Sequence, residues 1–212
     1  MLGKAGNEVV RHSQQSFAFG DAGGLRSRKF DETVKSNLFL AIVPEHETAL
    51  QAVEIGRRIS AEHGLSRNVR PPQLLHVSLN AVGAYPRLPE DVVFTACEAM
   101  SNVRAMPFEV TFDRVMSFAN GYARPLVLSG GVRSEELMDL HVQLAKEMWS
   151  AGLVFSYNPR FKPHMTLLYD EASIPERELA EPVRWIAREF VLIHSLVGRS
   201  EYEYLGRWPL LG

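Results

Sequence analysis

The chain has 212 residues, with 23 Lys and Arg against 25 Asp and Glu, a formal net charge of -2. Its apolar content of 46% and charged content of 23% fit a globular protein and exclude a fully disordered, collagen-like or coiled-coil chain. That balance of charge argues against a protein gripping long duplex nucleic acid through its phosphates. The longest clean apolar run, residues 38–43, is far short of the roughly 18 residues of a membrane span. Lys4 and Arg11 have no apolar stretch behind them, so no secretory leader is expected and the cytoplasm is the default location. A single cysteine, Cys97, excludes an intrachain disulfide and a cysteine-based zinc site; with Val93, Ala96 and Met100 at helical spacing, it reads as core packing.

Residues 1–36 show no sustained period and read as a partly ordered N-terminal arm. Regular structure starts with a buried strand, Leu38 to Val43, punctuated by Pro44. Ala49, Ala52, Val53, Gly56 and Ile59 recur at steps of three and four, which predicts an amphipathic helix over 46–63 ending near Gly64. A strand is expected at 73–80, then a helix at about 89–103. Residues 107–116 alternate Phe108, Val110 and Phe112 with polar residues, the period of a half-buried strand. Leu126, Val127 and Leu128 mark another strand. Ser134 is a plausible N-cap, with Glu135 and Glu136 suited to the first turn, and a helix follows to Gly152. The remainder reads as a strand at 161–168, a short helix within 175–186, and two strands near 188–197 and 202–209.

Sliding the chain by 88 residues without a gap superposes Leu38 on Leu126, Leu40 on Leu128, Glu47 on Glu135, Gly64 on Gly152 and Leu65 on Leu153. Pro71 falls on Pro159, His76 on His164 and Leu79 on Leu167. Apolar identities of this kind accompany any two strand–helix–strand units. A histidine repeated at one strand position does not, because core packing has no need of it.

That histidine heads the sharpest motif: His76-Val77-Ser78-Leu79, repeated as His164-Met165-Thr166-Leu167. In a strand, residues i and i+2 share a face. His76 with Ser78, and His164 with Thr166, therefore point away from the core that takes Val77, Leu79, Met165 and Leu167. Two imidazoles and two hydroxyls around one cleft suit displacement at phosphorus. One imidazole accepts a proton from the attacking oxygen and the other protonates the leaving oxygen, while the hydroxyls donate to the non-bridging oxygens. No metal is required, and neither a His-x-His nor a His-Glu-x-x-His spacing occurs. A Ser-His-acid triad fits poorly, since no Gly-x-Ser-x-Gly elbow is present.

These motifs, with Asn37-Leu38-Phe39-Leu40-Ala41-Ile42 before them and Tyr204-Leu205-Gly206-Arg207-Trp208-Pro209-Leu210 after, resemble the 2H phosphoesterases. Within that superfamily the likeness is to the bacterial 2'-5' RNA ligase or RNA 2',3'-cyclic phosphodiesterase group. It extends over roughly 36–210. It implies an α+β fold of two pseudo-symmetric lobes with duplicated β-α-β-α-β units, mainly antiparallel sheets around a central cleft and helices outside. Residues 37–212 would form that single domain, with lobes of roughly 37–120 and 121–212 between which strands can be exchanged.

The resemblance also implies metal-independent, cofactor-free chemistry on a 2',3'-cyclic phosphate, giving a 2'-phosphate. Substrates would be RNA ends or cyclic nucleotides. His76 and His164 carry over as the acid–base pair, with His164 activating water and His76 protonating the departing 2' oxygen. Ser78 and Thr166 carry over as phosphate-oxygen donors. Lys162, on the parity of His164, and Phe118 and Tyr122, around a Gly-containing loop, are further candidates for substrate contact. Arg67, Arg70 and Arg160 precede the motif strands and are candidates for attracting an anion. The alternatives left open are 2'-5' RNA ligation, opening of an ADP-ribose cyclic phosphate, and a non-catalytic RNA-end or nucleotide-binding module.

Overall fold

A computed structural model of the protein describes residues 35–119, 123–130 and 134–211. Most of the expected N-terminal arm, and Tyr122, lie outside the described residues. Ser36, assigned to that arm, instead opens the first strand. In chain order the elements are β1 (Ser36–Ile42), α1 (His46–His63), a 3₁₀ turn (Pro72–Leu74), β2 (Val77–Tyr85), α2 (Glu90–Met100) and β3 (Phe108–Ser117). They continue with β4 (Arg124–Ser129), α3 (Glu135–Ser150), β5 (His164–Asp170), β6 (Arg177–Ala187), β7 (Glu189–Leu196) and β8 (Glu201–Pro209).

All strands join one antiparallel sheet of order β6-β3-β4-β5-β2-β1-β7-β8. The fold is α+β, as expected. Two four-stranded halves meet at β5–β2, and each half has one of the duplicated β-α-β units, β4-α3-β5 and β1-α1-β2, beside that junction. The half β6-β3-β4-β5 is drawn from consecutive strands, Phe108 to Ala187, whereas β7 pairs with β1, so the other half joins the two ends of the described sequence. The alternation of each strand sets the two sheet faces. Leu38, Leu40 and Ile42 of β1, and Leu126 and Leu128 of β4, enter one continuous core with residues from all three helices. Phe39 and Ala41 face the other way and pack with Leu74, Val191, Ile193 and Tyr202.

The 88-residue duplication persists in local geometry. Gly64 and Gly152 end their helices in the left-handed region, at φ of 63° and 75°, which glycine adopts without the steric cost of a Cβ. Beyond each glycine a leucine N–H reaches back to a carbonyl five residues earlier: Leu65 to Ser60 and Leu153 to Met148, both at 3.0 Å. Both leucines then pack against the core, the apolar contact that accompanies this kind of helix ending. Ser134 caps α3 as expected, its Oγ accepting from the Leu137 N–H at 3.3 Å.

Three expectations need correction. The segment 175–186 is not a helix but most of strand β6. Val183, Trp185 and Ala187 are buried with period two, and Pro182 would break a helix interior. As an edge strand β6 tolerates that proline, because the missing N–H has no ladder to join. The strand expected at 73–80 begins only at Val77. Pro71 and Pro72 favour a turn, closed by Leu74 N–H to Pro71 O at 3.0 Å and Leu75 N–H to Pro72 O at 3.1 Å; the strand then runs on to Tyr85. Likewise the strand expected at 161–168 begins at His164, after a turn in which Phe161 N–H bonds Asn158 O at 3.2 Å.

Candidate active site

Val77 and Met165 are paired across the junction of the two halves, and both are fully buried beneath it. Antiparallel pairing about that point sets His76 across from Thr166 and Ser78 across from His164. All four stand on the face opposite the helical core, part-buried. The repeated motifs therefore meet as one cluster of two imidazoles and two hydroxyls, with each histidine beside the other motif's hydroxyl residue. Val77, Leu79, Met165 and Leu167 lock the strands from below by burial, worth about 1.5–3 kcal/mol for each large side chain.

The late starts of β2 and β5 are part of the site. The turn before β2 aims the Leu74 carbonyl at His76, which donates Nδ1–H to it at 2.9 Å. The turn before β5 does the same 88 residues later, where His164 donates Nδ1–H to the Lys162 carbonyl at 2.7 Å. In a neutral imidazole this fixes the tautomer, with the proton on Nδ1 and the basic lone pair on Nε2.

The two rings differ in surroundings. His76 lies against Phe39 at 5.1 Å between centroids and meets Tyr202 edge-on at 5.4 Å. Arg70 donates from Nη2 to the Tyr202 hydroxyl at 2.8 Å. Burial pushes the His76 pKa down to about 3, with the positive charge of Arg70 adding to the effect and the Leu74 carbonyl opposing it. His76 is therefore neutral in the empty protein at physiological pH. His164 meets Phe118 edge-on at 4.9 Å.

Of the peripheral candidates, Phe118 thus stands beside the cluster. Lys162 is exposed and precedes β5, so the strand parity that aligned it with His164 does not apply; its carbonyl accepts from the histidine. Arg67 and Arg160 are exposed. The Arg67 backbone N–H, with the N–H and hydroxyl of Ser66, binds the buried Asp170 carboxylate at 2.8–3.1 Å, which fastens the loop leading to Arg70 onto the end of β5. In the sequence Arg70 is one undistinguished cation among three, and Phe39 and Tyr202 read only as strand residues. No local pattern joins them, because strand pairing across more than 120 residues assembles them.

Two further histidines, His141 and His194, serve structure. His141 is buried on α3 between Phe161 and Tyr157, and its Nδ1 faces the Leu79 carbonyl at 3.1 Å. His194 is buried between Glu203 and Ser36. Cys97 is half-buried and packs at the margin of the core. Among the described residues no group of three or more His, Cys, Asp or Glu is placed to hold a metal ion, and no helix is long and apolar enough to cross a membrane.

The profile of the 2'-5' RNA ligase superfamily matches residues 43–199, both motifs included. No curated protein sequence matches the chain significantly. Among solved structures, E. coli LigT complexed with 3'-AMP is similar at 22% identity and a TM-score of 0.66, over 84% of this chain and 99% of that one. E. coli LigT complexed with ATP gives 21% and 0.67, over 84% and 99%. The protein TT0787 of Thermus thermophilus gives 21% and 0.64, over 83% and 98%. At these identities the likeness is one of fold.

Proposed function

The chain belongs to the 2'-5' RNA ligase superfamily, and from that premise we propose that it is a phosphoesterase that opens the 2',3'-cyclic phosphate of an RNA end or nucleotide to a 2'-phosphate without a metal. The observation that carries this reading is the paired anchoring of His76 and His164. Each is held through Nδ1 by the carbonyl two residues before it, on strands that meet at Val77 and Met165. Two imidazoles with Nε2 committed to proton transfer are what in-line displacement at phosphorus asks of a protein.

One Nε2 accepts a proton from water as the water oxygen bonds to phosphorus. The bond from phosphorus to the 3' oxygen breaks, and the other imidazole, protonated, gives its proton to that oxygen. A product that keeps phosphate on the 2' oxygen has lost the bond to the 3' oxygen. The departing atom is thus the 3' oxygen, not the 2' oxygen that the resemblance suggested. Ser78 and Thr166 donate to the non-bridging oxygens, where charge is held during the displacement. Replacing water by the 5' hydroxyl of a second RNA end, at the bond to the same phosphorus, yields a 2'-5' linkage, so ligation needs no further group.

His76 neutral in the empty site is ready to accept a proton. To donate one instead, it must first gain a proton beside the anionic substrate. Phe118, next to His164, offers an aromatic surface to a nucleobase. The test is incubation of the purified protein with a panel of 2',3'-cyclic nucleotides and with cyclic-phosphate RNA ends in EDTA. The expected result is conversion to the 2'-phosphate. Binding of all of them with no turnover would support a non-catalytic module instead.

A further inference from the structure

Arg70 is held from three directions. Its backbone N–H bonds the Leu167 carbonyl on β5 at 2.7 Å, one residue past Thr166. Its Nη2 bonds the Tyr202 hydroxyl on β8 at 2.8 Å. The loop before it is fastened to Asp170 through Ser66 and Arg67. Those attachments span both halves of the sheet, so the guanidinium is fixed relative to both motif strands.

Yet its charge is not neutralised. Among the described residues Arg70 forms no ion pair with a carboxylate. Its Nε is buried and has no hydrogen-bond partner. Its one polar side-chain partner, Tyr202, stays a neutral phenol, because burial pushes its pKa up while Arg70 only partly opposes that. A buried polar atom left unsatisfied calls for a reason, and this one belongs to a half-buried charge with no counter-charge beside it.

The groups acting on His76 from the elements around it are few. Arg70 lies on the preceding loop and His164 on β5, and both disfavour a second proton on the ring; the Leu74 carbonyl favours it. Phe39 on β1 and Tyr202 on β8 are uncharged walls. No carboxylate is among these influences. The counter-charge missing for Arg70 and the one missing for a protonated His76 are the same: an anion at the cluster.

Resting on the reading that the two histidines handle a phosphate, we propose that Arg70 is a positioning residue that adds to burial in keeping His76 singly protonated in the empty site. An arriving phosphate anion offsets the Arg70 charge, and binding then draws a proton from solvent onto His76. In this arrangement the site gains its acid only once an anion is present.

Sulfate, a dianion that does not itself titrate near neutrality, is the probe. Imidazole resonances are followed by NMR against pH, with and without sulfate, and His76 is assigned by comparison with His76→Asn. In the native protein His76 should stay neutral at pH 5 without sulfate, and its midpoint should rise when sulfate binds. Arg70→Gln should raise the sulfate-free midpoint by about one pH unit or more, as expected for loss of a nearby like charge. Arg70→Lys, which keeps the charge, should leave it low. An Arg70→Gln midpoint equal to that of the native protein, or an equal rise in Arg70→Lys, would overturn the proposal. If Arg70→Gln does not fold, a native His76 midpoint unmoved by sulfate overturns it alone. Turnover plays no part in this readout, so failure to cleave cyclic nucleotides would remove the phosphoesterase reading without deciding the role of Arg70.

Discussion

Val77 pairs with Met165 where the two halves of the sheet join, and that one contact sets the chemistry around it. Both side chains are buried to completeness, so their neighbours in sequence must face the other way. Those neighbours are His76, Ser78, His164 and Thr166. A slip of one residue would turn all four into the core, which the burial of Leu79 and Leu167 opposes.

His76→Ala and His164→Ala should each lower kcat by about 10² or more, the usual range for an acid–base group being 10² to 10⁴. The double variant should lose less than the product of the two, because the pair acts as a unit. Steady-state kinetics on a cyclic nucleotide reads this directly. Near-native turnover in either single variant would remove that histidine from the mechanism.

Ser78→Ala and Thr166→Ala should fold normally and weaken phosphate handling. A hydrogen bond to a charged oxygen contributes roughly 1.5–3 kcal/mol, which is about one to two orders of magnitude in kcat/KM. Thr166→Ser keeps the hydroxyl and should be mild. Unchanged kinetics in Ser78→Ala would mean that this hydroxyl does not meet the phosphate.

Two ordinary imidazoles would give kcat/KM a bell centred near neutrality. The surroundings of His76 alter that shape. Its pKa in the empty protein lies at about 3, and kcat/KM reports the free enzyme. The rising limb is thus carried below pH 5, and none should appear between about pH 5 and 9, a range bracketing an ordinary imidazole. Either order of roles gives this shape, since the pair titrates jointly. A rising limb between pH 5 and 7, with chemistry limiting, would contradict a neutral His76.

The same group makes stability depend on pH. In the unfolded chain an ordinary histidine takes up its proton as pH falls below about 6.5, whereas folded His76 does not until about 3. Between those values the unfolded state binds more protons, so stability falls as pH falls. The upper limit is about 1.4 kcal/mol per pH unit, reduced because His76 is only half-buried. Burial shifts His141 in the same direction, so the measurement is a difference. Urea unfolding of the native protein and His76→Asn at pH 6.5 and 4.5 should show a smaller loss in the variant. Equal losses would show that His76 is not held neutral.

Much of the fold is legible in the sequence because period and punctuation are local. The spacing of Ala49, Val53 and Ile59 fixes α1, and Gly64 and Gly152 mark helix ends that the structure places in the left-handed region. The duplication carries both motifs because it repeats polar residues that packing does not demand. Segment 175–186 reads as a helix because its alternation is masked by helix-favouring Glu, Leu and Ala ahead of Pro182, and only pairing with β3 makes it a strand. The Phe39–Tyr202–Arg70 surround of His76 has no local signature at all. It draws on β1, β8 and a loop, and the order in which strands assemble is a tertiary fact.

The central claim is that this pair of carbonyl-anchored histidines opens a cyclic phosphate by proton transfer alone. The most direct measurement is phosphorus NMR of a 2',3'-cyclic nucleotide incubated with the purified protein in EDTA, with His76→Ala and His164→Ala run alongside. The account predicts disappearance of the cyclic signal, growth of the 2'-monophosphate and no 3'-isomer, with both variants far slower. Activity that vanishes in EDTA and returns with zinc or manganese would contradict it, as would a 3'-monophosphate product.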